Sequence, residues 1–243
     1  MKTIGIDVSS QPEGTASCSI LWEKGSARIE AVEGPLDDGR IDALLSERVD
    51  KIGVDVPLGW PDAFVDAIGR HRSGEAFGEA DIAQLARRET DRWVWRETNQ
   101  VPLSVTTDRI SYPAMRTARL LGRVPVLNGD RSGAGRVVEV YPAAALRVWR
   151  LQHQGYKRGK GRDVLAGILA QLRNRCTWLP ADDEVWRDVN RNDHAFDALI
   201  CSLVARAHAT GRCPPIPVDL VETARREGWI AVPHQDCLES LAD

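Results

Sequence analysis

The segment Lys51–Pro61, KIGVDVPLGWP, constrains most strongly what this chain can fold into. Its β-branched residues, at alternate positions, predict a short buried strand, and two prolines and a glycine end that strand abruptly. Asp55 lies inside the run, where an apolar residue would be expected. An acid at the carboxyl end of a buried strand, facing a stiff turn, is typical of a functional position in an α/β protein.

The composition is that of a protein with an ordinary core and no dominant charge. The chain has 243 residues, of which 43% are hydrophobic and 28% charged, with a net charge of −3. This balance gives no global field that would attract nucleic acid or a membrane surface. The five cysteines show no CxxC spacing, so we predict free thiols in the cytoplasm. The sequence shows no signal-peptide pattern and no apolar run of membrane-spanning length.

Five segments are predicted to be the strands of one sheet. The first three form an antiparallel meander, and a helix over Ile41–Val49 then crosses to the fourth strand at Lys51–Val56. Because right-handed crossovers join parallel strands, the fourth strand is expected to run parallel to a strand of the meander. Arg136–Tyr141 is the fifth strand. The predicted fold class is therefore α/β.

The remaining segments are placed around this sheet within a single domain, residues 1–243. Residues 62–135 are predicted to be a helical insertion that covers one face of the sheet. Asn192–Thr210 gives the strongest helix signal of the chain, with Asn192 or Asp193 able to cap its start. Residues 211–243 are predicted to be a C-terminal tail with a short helix and a small strand.

Four acids occupy positions where a charge is unfavourable unless it is paired or bound to a metal. Asp7, Asp55 and Glu139 lie on predicted strands, and Asp197 lies among apolar residues of the last helix, one turn after Asp193. If the first and fourth strands are neighbours, Asp7 and Asp55 lie side by side. Such carboxylates together favour Mg²⁺ or Mn²⁺. Structural alternatives stay open for each: turn or helix capping for Asp7 and Asp193, and an ion pair with an arginine for Glu139.

Several segments resemble the domain-of-unknown-function 429 family, whose members are regarded as predicted nucleases of the ribonuclease-H-like superfamily. The matching segments are IGIDVSS (Ile4–Ser10), IGVDVPLGWP (Ile52–Pro61), RRETD (Arg87–Asp91), VVEVYPAAAL (Val137–Leu146), YKRGKGR (Tyr156–Arg162) and NDHAFDALICSLVARA (Asn192–Ala207). The resemblance implies a ribonuclease-H-like mixed five-stranded sheet, flanked by helices, with the order 3-2-1-4-5 and an antiparallel second strand. The helical insertion follows the fourth strand.

The resemblance also implies a nuclease that depends on Mg or Mn, with two metal ions acting on the phosphodiester bond. Asp7, Asp55 and Asp197 are then the metal-ligand candidates, and Asp193 and Glu139 are further catalytic candidates. HAFDAL is similar to the final helix of Holliday-junction resolvases, where the acid before alanine binds metal. In ribonuclease H the second acid lies on the first helix, and neither Asp42 nor Glu47 fits that pattern. Either Glu139 fills the position or one metal site is incomplete.

Basic residues near the acids are candidates for contacts with a nucleic-acid substrate. Lys157, Lys160 and Arg162 lie in a glycine-containing loop that suits close approach to phosphates. Arg88 and Asp91 are candidates by the resemblance of RRETD. RNA, DNA, a hybrid and a branched junction all stay open as the nucleic-acid partner, and a homodimer also stays open.

Two other functions fit parts of the sequence. IDVSSQPEGTASCSIL resembles the first phosphate loop of actin- and sugar-kinase-like phosphotransferases or ATPases, although the later phosphate and adenosine segments of that class are missing. A non-catalytic binding module that keeps the fold is the third hypothesis.

Overall fold

The computed structural model describes residues 1–124, 129–157, 161–180 and 182–243. Within them one sheet has the strand order β3-β2-β1-β4-β5-β6. The strands are β1 (Lys2–Asp7), β2 (Ala16–Glu23), β3 (Ser26–Glu33), β4 (Lys51–Asp55), β5 (Val137–Val140) and β6 (Ile230–Ala231). β2 is antiparallel to both neighbours, and β1, β4, β5 and β6 run parallel. The predicted α/β class and order of the first five strands are confirmed, and the C-terminal segment adds a sixth strand.

The helices surround this sheet on both faces. They are α1 (Asp38–Ser46), α2 (Asp62–Arg72), α3 (Ile82–Ala86), α4 (Glu89–Thr98), α5 (Ser111–Leu121), α6 (Pro142–Val148), α7 (Arg162–Arg175), α8 (Asp183–Val189), α9 (Asp193–Ala209) and α10 (Val221–Glu227). Within the described ranges, none of these helices combines the length and the hydropathy that a bilayer crossing requires.

Two helical features differ from the sequence-based expectation. In the sequence, the charge-rich segment 79–96 predicts one helical stretch. The structure divides it into α3 and α4, because Arg88 adopts an extended backbone and turns its side chain into the interior between them. The short helix α8 was not predicted. Asp182 caps its N-terminus, because its side chain accepts a hydrogen bond from the Val185 N–H. This cap stabilises a helix of seven residues, which is too short to show a clear apolar periodicity in the sequence.

Alternation along β1 and β4 separates the two faces of the sheet. Ile4 and Ile6 of β1 and Ile52 and Val54 of β4 pack in the apolar cluster that also contains residues of α1 and α5. The intervening residues point to the opposite face, which α9 covers. Each of the two strands ends in the motif Gly-x-Asp, and the glycine and the acid of this motif both face α9.

The glycines of these motifs let α9 lie directly on the strands. Gly5 and Gly53 are partners in the parallel pair β1–β4. A Cβ atom at Gly5 would lie 1.9 Å from the Ala198 carbonyl oxygen, and one at Gly53 would lie 2.3 Å from the Cys201 carbonyl oxygen. Real side chains cannot approach backbone so closely, so the helix reaches this depth only because both positions lack a Cβ.

The helix and β1 stay in register because their repeats nearly match. Four helical residues rise about 6 Å and two strand residues about 6.6 Å. Three contacts therefore follow one another along β1: Thr3 with Ser202, Gly5 with Ala198, and Asp7 with His194. This register carries the start of α9 to the strand ends, where the acids lie.

A glutamate of the C-terminal segment binds two helices of the insertion. Glu227, at the end of α10, is 5% exposed. Its carboxylate accepts hydrogen bonds from the backbone N–H of Asp62 at 2.8 Å and from that of Glu89 at 2.7 Å. Asp62 is the first residue of α2, and Glu89 is the first residue of α4. One buried carboxylate thus serves the N-termini of two helices, where negative charge is favourable.

We expect Glu227→Gln to lower the free energy of unfolding by about 1–2 kcal/mol, because one acceptor oxygen is replaced by an NH₂ group that faces a backbone N–H. Chemical denaturation measures the change. Glu222→Gln is the matched control on the same helix, since the Glu222 side chain is 72% exposed, and we expect it to change stability by less than about 0.5 kcal/mol. Equal effects of the two substitutions would contradict the capping role.

Candidate functional site

Three acids from three separate elements meet at the carboxyl edge of the parallel strands. Asp7 and Asp55 are the last residues of β1 and β4 and are direct partners across the pair. Asp197 lies on the first turns of α9 and is 1% exposed. The predicted adjacency of Asp7 and Asp55 is confirmed, and it follows from the parallel register and the side-chain period of two.

Both oxygens of Asp197 are bound by side chains of one loop. The Tyr156 hydroxyl donates to Oδ1 at 2.8 Å, and the Lys157 ammonium pairs with Oδ2 at 2.7 Å. Burial raises the pKa of Asp197 to about 6, with Lys157 opposing the shift and the charge of Asp7 adding to it. Burial works against the charge of Lys157, yet Asp197, Asp55 and Asp7 raise the pKa of its ammonium well above the usual range.

Asp7 is oriented by a histidine of α9. Its Oδ2 lies 2.7 Å from His194 Nδ1, and the side chains are 11% and 37% exposed. The hydrogen bond to Asp7 raises the pKa of His194, although burial opposes the shift. His194 precedes Asp197 by three residues, so one helical turn carries both to the same edge.

Asp55 is the one of these acids whose carboxylate accepts no hydrogen bond and forms no ion pair within the described residues. Burial raises its pKa well above the usual range, Lys157 opposes the shift, and Asp7, Asp197 and Glu139 reinforce it. A carboxylate held near two others without a protein partner is unfavourable by itself and favours a bound cation.

The acids fit a hard divalent cation in their chemistry. Carboxylate oxygens are the donors that Mg²⁺ and Mn²⁺ prefer. Among the residues that the structure describes, Oδ1 of Asp7 and both oxygens of Asp55 accept no hydrogen bond, since His194 binds Oδ2 of Asp7. Asp197, by contrast, is closed by Tyr156 and Lys157. Accordingly, the described part of the chain contains no group of three or more His, Cys, Asp and Glu side chains arranged to hold a metal ion.

Glu139 belongs to a buried ion network behind the site. Its two oxygens accept from the Arg88 guanidinium at 2.7 Å each, and Oε2 also accepts the Leu58 N–H at 3.0 Å. Asp91, on α4, accepts from the same guanidinium at 2.8 Å and 3.2 Å. The sequence left an arginine partner open as the alternative for Glu139, and the structure shows that pair.

All donors of Arg88 are used inside the protein. Nε and both Nη atoms bind Asp91 and Glu139, and Nη1 also donates to the Glu227 carbonyl. Arg88 and Asp91 are 1% and 0% exposed. The expectation that they bind substrate is therefore corrected: they connect the insertion, β5 and the C-terminal segment, and no N–H of the guanidinium is left for a phosphate.

The sequence also offered Asp193, Arg162 and Lys160 as site candidates. Asp193, the first residue of α9, and Arg162, the first of α7, both line a cavity of about 80 Å³ beside Tyr156. Asn192 caps α9, since its side chain accepts the Ala195 N–H at 2.8 Å. Lys160 lies outside the described residues. Asp193 thus lies one helical turn before Asp197 and lines a different cavity from Asp55.

The carboxylate of Asp55 borders a cavity of about 100 Å³ between the sheet and the insertion. Lys157, Glu139 and Tyr141 supply polar groups to its wall, and Leu103 and Ile110 of the insertion supply apolar ones. The Tyr141 hydroxyl donates to the Val101 carbonyl at 3.4 Å. The insertion therefore walls one side of the candidate site, as its position after β4 predicts.

Among the comparisons with known proteins, the one with family models gives a match. The model of the family described as "Protein of unknown function (DUF429)" matches residues 5–222. The chain belongs to the DUF429 family. No curated protein and no solved structure matches it. The sheet of this DUF429 protein has the strand order and the antiparallel second strand of a ribonuclease-H-like fold.

Two features of this DUF429 site were open to sequence reasoning but were missed. The repeated Gly-x-Asp at residues 5–7 and 53–55 is the signal that a helix lies against both strands beside their terminal acids. The second is His194, which precedes Asp197 by three residues and therefore lies at the same edge, where it binds Asp7. The role of Tyr156 carries no comparable signal, because a tyrosine in a loop is compatible with many contacts.

Proposed function

We propose that this DUF429 protein hydrolyses phosphodiester bonds of nucleic acid with the help of a divalent cation, Mg²⁺ or Mn²⁺. The observation that carries the proposal is the convergence of Asp7, Asp55 and Asp197 from two parallel strands and one helix, where Asp55 has no hydrogen-bond or ion-pair partner among the described residues. Structural acids in a core are ordinarily paired. An acid kept unpaired beside two others is the pattern of a cation-dependent site.

Asp7 and Asp55 would hold the ion, which supplies the activation of a water and the stabilisation of the leaving oxygen when it is bound. His194 fixes the orientation of Asp7 through Nδ1 and leaves its own Nε2 for another partner. Lys157 brings a positive charge to the site from the surface, because half of its side chain is exposed while its ammonium contacts Asp197. This charge supports an anionic substrate such as a phosphodiester.

The small cavity beside Asp55 limits how much of a substrate can reach the acids. The cavity beside it, about 100 Å³, is closed on one side by the insertion. The cavity is too small for a duplex, so a single phosphate with its neighbouring sugar or base would have to reach the acids past the half-exposed side chain of Lys157. Whether that strand is RNA or DNA is decided by assay.

We expect Asp55→Asn to lower the rate of cleavage about 100-fold or more, because an amide is a far weaker ligand than a carboxylate for a hard cation. The same substitution should raise Tm by about 2–4 °C in metal-free buffer, because burial and the neighbouring acids make the Asp55 carboxyl unfavourable in the folded state at neutral pH, and the neutral amide avoids this cost of about 1 kcal/mol. The assay uses single-stranded RNA, single-stranded DNA, a hybrid and a branched junction with Mg²⁺ or Mn²⁺. Thermal unfolding follows Tm.

Asp66→Asn is the matched control, because Asp66 lies on the exposed face of α2. It should change neither rate nor Tm. If the wild-type protein cuts none of the four substrates, or if Asp55→Asn cuts as fast as Asp66→Asn, the proposal is wrong. A rise in Tm with ATP and no cleavage would instead favour the phosphotransferase hypothesis.

A further inference from the structure

A cation of the protein already lies among the three acids. The Lys157 ammonium is 2.7 Å from Asp197 Oδ2, and the charges of Asp55 and Asp7 also act on it. Among the described lysines and arginines, it alone forms an ion pair with any of these acids, and Asp7 pairs with His194 instead. Lys157 therefore occupies the place where a cation bound to Asp197 would be expected.

The loop that carries Lys157 closes Asp197 from both sides. Tyr156 is 2% exposed and donates its hydroxyl to the other carboxylate oxygen at 2.8 Å. Its ring also packs edge-on against Phe196 of α9, with ring centroids 5.4 Å apart. The hydroxyl is thus fixed by packing, so a metal ion at Asp197 would have to displace a buried hydrogen bond as well as the ammonium.

The charge of the site matches one divalent ion. With an ion bound and the His194 imidazole neutral, three ionised carboxylates and one ammonium carry two negative charges, which a single Mg²⁺ or Mn²⁺ neutralises. A second divalent ion would leave the site with two excess positive charges while Lys157 stays in place, which is strongly unfavourable at this separation. Asp7 and Asp55 are adjacent in register and Asp55 lines the cavity, so these two acids remain as the pair that can hold the ion.

We propose that this site holds one divalent cation between Asp7 and Asp55, and that Lys157 supplies at Asp197 the positive charge that a second ion would otherwise provide. The inference rests on the proposed function. By this inference Lys157 belongs to the reaction centre, and Asp197 holds its ammonium in position. Asp197 is then a positioning residue, since its carboxylate holds the ammonium and does not bind the ion.

Titration of the metal-free protein with Mn²⁺ in a calorimeter tests this directly. We expect one Mn²⁺ per chain for the wild type and for Lys157→Arg, which keeps the charge. Lys157→Met should bind a second Mn²⁺, or bind the first about tenfold more tightly, because a positive charge has been removed and Oδ2 of Asp197 has lost its ion pair. Lys24→Met, in the exposed β2–β3 turn, is the control and should match the wild type.

Two Mn²⁺ ions in the wild type, or identical titrations for Lys157→Met and Lys157→Arg, would overturn the inference while leaving the proposed function standing. No Mn²⁺ bound by any of these proteins would overturn both. If Lys157→Met does not fold, Asp197→Asn decides: one Mn²⁺ bound with close to wild-type affinity supports the inference, and loss of that ion overturns it.

Discussion

Gly5→Ala is expected to lower the free energy of unfolding by about 3 kcal/mol or more, which corresponds to a fall in Tm of about 6–12 °C. The added Cβ would lie 1.9 Å from the Ala198 carbonyl oxygen and 2.3 Å from the Ser202 backbone nitrogen. Neither atom can move without shifting α9, and α9 packs along β1, β2 and β4. Differential scanning calorimetry measures the change.

The same shift should disturb the candidate site, since α9 carries both His194 and Asp197. We therefore expect any folded Gly5→Ala protein to lose Mn²⁺ affinity as well as stability. Gly167→Ala is the matched control. Gly167 lies within α7, and a Cβ there would meet no atom within 4 Å, so alanine should raise stability by about 0.5–1 kcal/mol. The same chemical change thus has opposite signs at the two positions. Equal Tm values for the two variants would contradict the close packing of α9.

Arg88→Met is expected to lower the free energy of unfolding by about 3–5 kcal/mol, because it leaves two buried acids without their counter-ion. Glu139 and Asp91 both bind the Arg88 guanidinium, and each is at most 2% exposed. Their charges raise the pKa of Arg88 above its ordinary value in spite of burial. Urea unfolding monitored by circular dichroism measures the loss.

Arg28→Met is the control for removing an arginine as such. The Arg28 side chain is 63% exposed and pairs with Glu30 at 3.1 Å, and a surface pair of this kind contributes less than about 1 kcal/mol. The double substitution Arg88→Met and Glu139→Gln should be more stable than Arg88→Met alone, because one uncompensated charge is removed with its partner. A double variant no more stable than the single one would show that the network is not electrostatic in origin.

The strands and the position of the acids could be predicted because they are encoded locally. Alternation of apolar residues and the breakers after Asp55 identify β4 and its end from about ten residues of sequence. The parallel crossover then places Asp55 beside Asp7. The sixth strand was foreseen as a strand of the C-terminal segment, but its pairing with β5 was not. A two-residue strand carries too little pattern to choose a neighbour.

The partners of the acids could not be predicted, because they depend on contacts between distant segments. Arg88 reaches Glu139 across 51 residues and Glu227 caps Glu89 across 138. The segment RRETD by itself is compatible both with an exposed helix surface and with a phosphate-binding site. Packing of the insertion against β5 excludes both, because it buries Arg88 completely and uses all its donors.

The sequence by itself determined where Asp7, Asp55 and Asp197 would lie, because strand alternation, strand ends and helix periodicity are local properties of the chain. Only the tertiary structure decided which of them is free. Asp197 is closed by Tyr156 and Lys157, Asp7 is held by His194, and Asp55 alone has no partner among the described residues. The distinction arises from side chains brought together by the docking of α9 on Gly5 and Gly53 and by the folding back of a distant loop, and such long-range contacts leave no periodic pattern in the sequence.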